Sequence, residues 1–95
     1  MTSKQRAKLR SMANGMQPIF QIGKDGISDN LLKQISDALE ARELIKVTVL
    51  ETSGGSSRDF CHEIAEAVGA EPIQVIGNKF VLYKKSSKNP KIELN

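Results

Sequence analysis

Apolar positions recur along this chain with two different periods. From residue 3 to about residue 14, Leu9, Met12, Ala13 and Met16 keep the spacing of one helical stripe. Thr2 and Gln5 have the spacing of a capping box at its start, and Gly15 suits the residue just past its end. Pro18 stops that helix and opens a short strand over residues 19–22. After Gly23-Lys24-Asp25-Gly26, Ser28 is placed to cap a second helix. Leu31, Leu32, Ile35, Ala38 and Leu39 carry it to about Ala41. The period then changes to two. Ile45, Val47 and Val49 alternate with Lys46 and Thr48, which predicts a strand over 44–50 with one apolar and one partly polar face.

Residues 52–57 (TSGGSS) read as a loop. Ser56 or Ser57 can cap a third helix, with the stripe Phe60, Cys61, Ile64, Ala65 and Val68, ended by Gly69. Strands are expected over 72–76 and 79–84. Gly77-Asn78 between them is a two-residue hairpin turn. Residues 86–95 read as a polar tail. The order is α-β-α-β-α-β-β. Right-handed β-α-β crossovers that progress the same way put helices two and three on one face of the sheet. The last strand could then fill the gap between strands two and three, antiparallel to both. The expected fold is a two-layer α/β sandwich with a four-stranded mixed sheet. The pattern leaves the place of helix one open.

Ninety-five residues suit one domain. Aromatics are only 4%, with no Trp, so the core must be built from Leu, Ile, Val, Ala and Met. The lone cysteine excludes an internal disulfide. The charged N-terminus lacks the apolar stretch of a signal peptide, and no apolar run approaches a membrane span. A cytoplasmic location without membrane attachment is therefore expected.

The net charge of +3 conceals an uneven distribution. Lys4, Arg6, Lys8 and Arg10 stand near the start with no acid among the first ten residues. Five lysines, Lys84 and Lys85 among them, fall within residues 79–91, whereas residues 29–71 hold nine acids against four bases. Basic ends around an acidic middle point to a polyanion, provided the ends meet in the fold. Lysine-rich ends that only aid solubility are the competing explanation.

Chemistry-bearing residues are few. Cys61 and the single histidine, His62, lie about 100° apart around a helix, so they do not share a face. Cys61 falls on the apolar stripe and reads as core, while His62 reads as solvent-facing. Glu40, Glu43, Glu63 and Glu66 read as solvated charges. No catalytic residue, metal site, cofactor or small-molecule substrate is expected. Phe20 and Phe60 read as core, and Tyr83 as packed in its strand, the alternative being contact with a base or ribose; with so few aromatics, base stacking is not expected to dominate binding. Lys46, Thr48 and Gln74 mark the polar faces of their strands. If helices cover one face only, those residues line an open surface.

The sharpest feature is Gly23-Lys24-Asp25-Gly26 between a strand and a capped helix. Glycines permit a tight turn and close approach of a ligand. The helix start that follows favours anions, and Lys24 adds a positive charge. These are the parts of a sugar-phosphate clamp. Asp25 and Asp29 oppose it, and a Gly-x-x-Gly at such a junction is by itself often only a turn. It is not a nucleotide-triphosphate loop, because no Gly-Lys-Ser/Thr occurs.

Four segments together resemble a known family. They are SKQRAKLRSMA, PIFQIGKDGIS, ALEARELIKVTVL and IGNKFVLYKKSSKNPKI, in this order and spacing over residues 3–92. The chain resembles bacterial YhbY-like proteins, the free-standing form of the CRM domain (chloroplast RNA splicing and ribosome maturation). The resemblance implies a fold similar to the C-terminal domain of translation initiation factor three, with strand order 1-2-4-3. It also implies a functional kinship with KH domains, which clamp nucleic-acid backbone on a Gly-x-x-Gly loop. On that kinship Gly23, Lys24, Asp25 and Gly26 form the RNA-contacting loop. From the charge pattern, Lys4, Arg6, Lys8, Arg10, Lys84 and Lys85 would add phosphate contacts if the fold brings them alongside. The implied role is a ribosome-assembly factor on RNA of the large subunit or its precursor, and a monomer is expected. The alternatives are a module recruited through a ribosomal protein and a small DNA-binding architectural protein.

Overall fold

The computed structural model of the protein describes residues 1–94. Its elements are α1 (Ser3–Ala13), β1 (Phe20–Ile22), α2 (Asp29–Arg42), β2 (Leu44–Val49), α3 (Ser57–Val68), β3 (Glu71–Ile76) and β4 (Lys79–Tyr83). A single 3-10 turn, Glu51–Ser53, interrupts the loop before α3. The helix starts follow the sequence signals. Thr2 Oγ1 accepts the Gln5 N–H at 3.1 Å, and Gln5 Oε1 accepts the Thr2 N–H at 3.0 Å. Ser28 Oγ accepts the Leu31 N–H, and Ser56 Oγ the Asp59 N–H.

The strands form one mixed sheet in the order β1-β2-β4-β3. β1 and β2 run parallel, with Ile22 opposite Val49. β4 lies antiparallel to β2 and β3 and fills the gap between them. The β3–β4 turn is the expected Gly77-Asn78 pair, with Gly77 at φ 57°.

Alternation along β2 and β4 divides the interior into two cores. Ile45, Val47, Phe80 and Leu82 point towards α2 and α3 and form one core with Ile35, Leu39 and Ile64. Leu44, Val81 and Tyr83 point the other way, where Leu9 and Ala13 of α1 meet them. Helix α1 thus adds a partial third layer. It contacts β2, β3 and β4 and covers the half of that face around Leu44 and Tyr83. Met12 departs from the expected stripe and is 41% exposed. It lies about 60° from Leu9 and about 100° from Ala13 around the helix, and the sheet takes up the Leu9–Ala13 row instead. Met16 reaches the same core from beyond the helix end.

The tail is not a free polar extension. It folds back on the α2–β2 junction and packs Ile92 and Leu94 into the second core. Two carboxylates hold it, which corrects the expectation that Glu40 and Glu43 are solvated. Glu43 is fully inaccessible and sits at φ 67°. Its carboxylate accepts backbone N–H groups from Ser86 at 2.8 Å, Lys91 at 2.5 Å and Ile92 at 2.8 Å. Burial pushes this carboxyl up, but those donors, with the charge of Lys85, outweigh it and hold it below its usual value. Glu40 accepts from the Ser86 hydroxyl, from the N–H and hydroxyl of Ser87, and from the Lys88 N–H.

The Ser86 hydroxyl, then the two Ser87 donors, pull Glu40 from 4.5 down to about 2. A carboxyl lowered on folding stabilises the protein above its unfolded value and loses that contribution as pH falls through its folded value. The amide signals of Ser87 and Lys88 are therefore expected to titrate with a midpoint near 2. A midpoint near 4.5, followed by NMR, would mean that the tail does not engage Glu40.

Candidate functional site

The Gly23–Gly26 segment leaves the end of β1 as a tight turn. The Gly26 N–H donates to the Gly23 carbonyl at 3.0 Å, so Lys24 and Asp25 occupy the turn's two central positions. Both side chains are exposed. Gly26 has φ +64°, a conformation a side chain would strain. At Gly23 the requirement is weaker, since an added Cβ would meet only Leu50 and Thr52 at ordinary contact distance. The turn delivers the chain to Ser28 and the start of α2. Gln21, Lys24, Gly26, Ser28 and Asn30 line one open cleft of about 250 Å3. The positive end of the α2 dipole opens onto it. Lys24 makes no hydrogen bond or ion pair among the described residues, so its ammonium is available to an anion. Asp25 lines the same cleft and subtracts from its positive potential.

The other predicted cations lie elsewhere. Lys84 and Lys85 follow β4 at the Leu44–Tyr83 end of the sheet, and they share a cleft with Met1 and Gln5 of the N-terminal segment. The two basic ends of the chain do meet. The Gly-x-x-Gly loop follows Ile22 at the opposite, Val49 end. About 17 Å of β2 separates the two regions, at the usual rise per strand residue.

Three of these cations already serve the protein's own structure. Arg6 donates to Glu71 Oε1 at 2.6 Å and to the Pro72 carbonyl at 2.6 Å, tying α1 to β3. Lys8 donates to the Glu93 carbonyl of the tail. Lys84 donates to the Val68 carbonyl at 2.9 Å, at the end of α3 where cations are favoured. Lys4, Arg10 and Lys85 make no such bond among the described residues.

The remaining candidates fall as expected. Cys61 is buried, and burial pushes its thiol up to about 11, so it stays protonated at neutral pH. His62 is exposed. Tyr83 is packed in the second core. Among the described residues no helix is long and apolar enough to cross a membrane. Lys46 and Lys79 stand on the part of the sheet that α1 leaves bare. Polar alternation in β2 marks Lys46, and Lys79 belongs to the lysine cluster of residues 79–91.

Comparison with known proteins agrees with this fold. The CRS1/YhbY (CRM) domain model matches residues 1–84. A relative named "Probable RNA-binding protein YqeI", from Bacillus subtilis (strain 168), is 48% identical over 99% of this chain and 98% of its own length. An "RNA-binding protein" of Haemophilus influenzae is 31% identical over 99% of this chain and 94% of its own length. The solution structure of protein SAV1595 from Staphylococcus aureus superposes with a TM-score of 0.78 at 44% identity, covering 100% of this chain and 99% of that one. With the strand order and near-full-length matches in agreement, this chain belongs to the CRS1/YhbY (CRM) domain family.

Proposed function

We propose that this chain binds RNA through the cleft at residues 23–26 and acts as an assembly factor for the large ribosomal subunit. The observation that carries the reading is the free ammonium of Lys24, on a glycine-bounded turn at the positive end of α2. It stands in a chain whose relatives are named RNA-binding proteins. A backbone phosphate docks against Lys24 and the first turn of α2, and Gly26 lets the strand approach the main chain. Such contacts give affinity and register with little sequence choice. The second basic region, around Lys4 and Lys85, is too far away to extend the same short contact. It gives longer RNA a separate electrostatic hold. In this reading the protein works in the cytoplasm as a monomer, with no cofactor and no catalytic step.

The test is affinity against salt for a large-subunit rRNA fragment, with wild type and a Lys24→Ala, Gly26→Asp variant checked for folding by circular dichroism. Loss of one phosphate contact makes the salt slope shallower by about 0.7–0.9. With the added carboxylate, affinity is expected to fall at least ~10-fold at physiological salt. Equal, salt-insensitive binding by both proteins would remove the clamp and favour a protein-mediated route to the ribosome. Equal affinity for DNA of the same sequence would favour the architectural reading.

A further inference from the structure

Helix α1 covers only part of the second face of the sheet. The uncovered part has a definite composition. In register across the strands, Gln21 stands opposite Thr48, Thr48 opposite Lys79, and Lys79 opposite Ile76. The next row holds Lys46, Val81 and Gln74. Opposed residues share a face, so both rows belong to the α1 side of the sheet. Of these, Lys46, Gln74, Ile76, Lys79 and Val81, together with Asn14 at the end of α1 and the Gly77-Asn78 turn, line a cleft of about 300 Å3. Its floor is the buried Val81, and one wall is Ile76, an isoleucine that is 60% exposed. Of the residues that line it, two are lysines and none is acidic. The Lys46 side chain makes no hydrogen bond or ion pair among the described residues, and the Lys79 ammonium reaches only its neighbour Asn78 at 3.3 Å.

We infer that this cleft is a second RNA subsite, which takes an unpaired nucleotide of the strand held at the Gly-x-x-Gly loop. The inference rests on the RNA reading above and extends it across the sheet. Continuity is the first argument. Gln21 lines the loop cleft and also begins the row that leads through Thr48 to Lys79. Four strands at about 4.8 Å spacing bring β1 within about 14 Å of β3, so a strand leaving the loop reaches the cleft in a few nucleotides. Charge is the second argument. Lys46 and Lys79 offer phosphate contacts in a site with no carboxylate to cancel them. The third is the match to a base. The carboxamides of Gln74 and Asn14 each carry donors and an acceptor for a base edge, and Val81 and Ile76 supply an apolar surface for its ring. A duplex hides its base edges and cannot enter so narrow a site, which makes the occupant single-stranded.

The experiment compares oligouridine of about four nucleotides, the length a Gly-x-x-Gly loop clamps, with oligouridine of about ten. It uses wild type, a Lys46→Ala, Lys79→Ala variant and the loop variant, each shown by thermal melting to be folded. The sheet-face variant is expected to bind the short oligomer as wild type does. On the long one it should lose about 10-fold in affinity, with a salt slope shallower by about 1.4 for two single-strand phosphate contacts. The side-chain amide NMR signals of Gln74 should shift with the long oligomer only. The loop variant should weaken on both lengths.

Wild-type affinity of the sheet-face variant for the long oligomer, with Gln74 unmoved, would overturn the subsite and leave the loop reading standing; the face would then be open to a protein partner. Equal losses on both lengths would also overturn it, because a subsite beyond the loop acts only on the longer strand. No binding of either oligomer by wild type would overturn the RNA reading itself, and this inference with it.

Discussion

Glu43→Ala is expected to lower the melting temperature by about 15 °C, the largest effect of any single polar substitution here. Three backbone N–H groups, from Ser86, Lys91 and Ile92, converge on this buried carboxylate. Removing it leaves those donors half-buried without an acceptor and releases Ile92 and Leu94 from the second core. Hydrogen bonds to a charged acceptor contribute about 1.5–3 kcal/mol each and are not additive, so a total near 3 kcal/mol is reasonable. A domain of this size melts about 4–8 °C lower per kcal/mol. The backbone at Glu43 supplies an internal control. Its φ of 67° is costly for any residue with a side chain. Glu43→Gly removes the carboxylate but relieves that strain, so it should be milder than Glu43→Ala by about 1 kcal/mol. Circular dichroism melts decide it. An alanine variant that melts with wild type would show that the tail is not held there.

The second large effect belongs to α1. Leu9→Ala is expected to cost about 3 kcal/mol, whereas Met12→Ala should stay within about 0.5 kcal/mol. Leu9 is fully buried against Leu44, Val81 and Tyr83, while Met12 is 41% exposed. Both residues fit the same apolar stripe when read along the chain. Chemical denaturation of the two variants separates them. Equal losses would mean that α1 is rotated from the orientation described.

The Leu9–Met12 pair shows what sequence reading can resolve. Apolar spacing defines a stripe about 100° wide, and residues 60–100° apart all fall within it. Which row is buried depends on the surface the helix meets, and that surface is contributed by β2, β3 and β4, far away in the chain. Glu43 makes the same point for a polar residue. Its partners lie 43–49 residues later, so nothing in its local pattern distinguishes a buried anchor from a solvated charge. The Gly-x-x-Gly loop was legible for the opposite reason. Its turn, its positive-φ glycine and the cap that follows are all formed within nine residues, where chain geometry alone determines them.

By itself the sequence determined the elements, because helical and strand periods, caps and the Gly77-Asn78 turn are local properties of the chain. It also determined the composition of the main core and, through its ordered segments, the family. Only the tertiary structure decided where the charges lie. The basic ends come together because β4 runs antiparallel to β2 and brings Lys84 and Lys85 back to the start of α1. The loop stands at the other end because β1 runs parallel to β2. Arg6, Lys8 and Lys84 are engaged by backbone and side-chain acceptors that folding brings to them. Among the described residues the Lys24, Lys46 and Lys79 side chains have none beyond a neighbouring side chain, since a cation is left available to a partner only where the fold places no acceptor beside it.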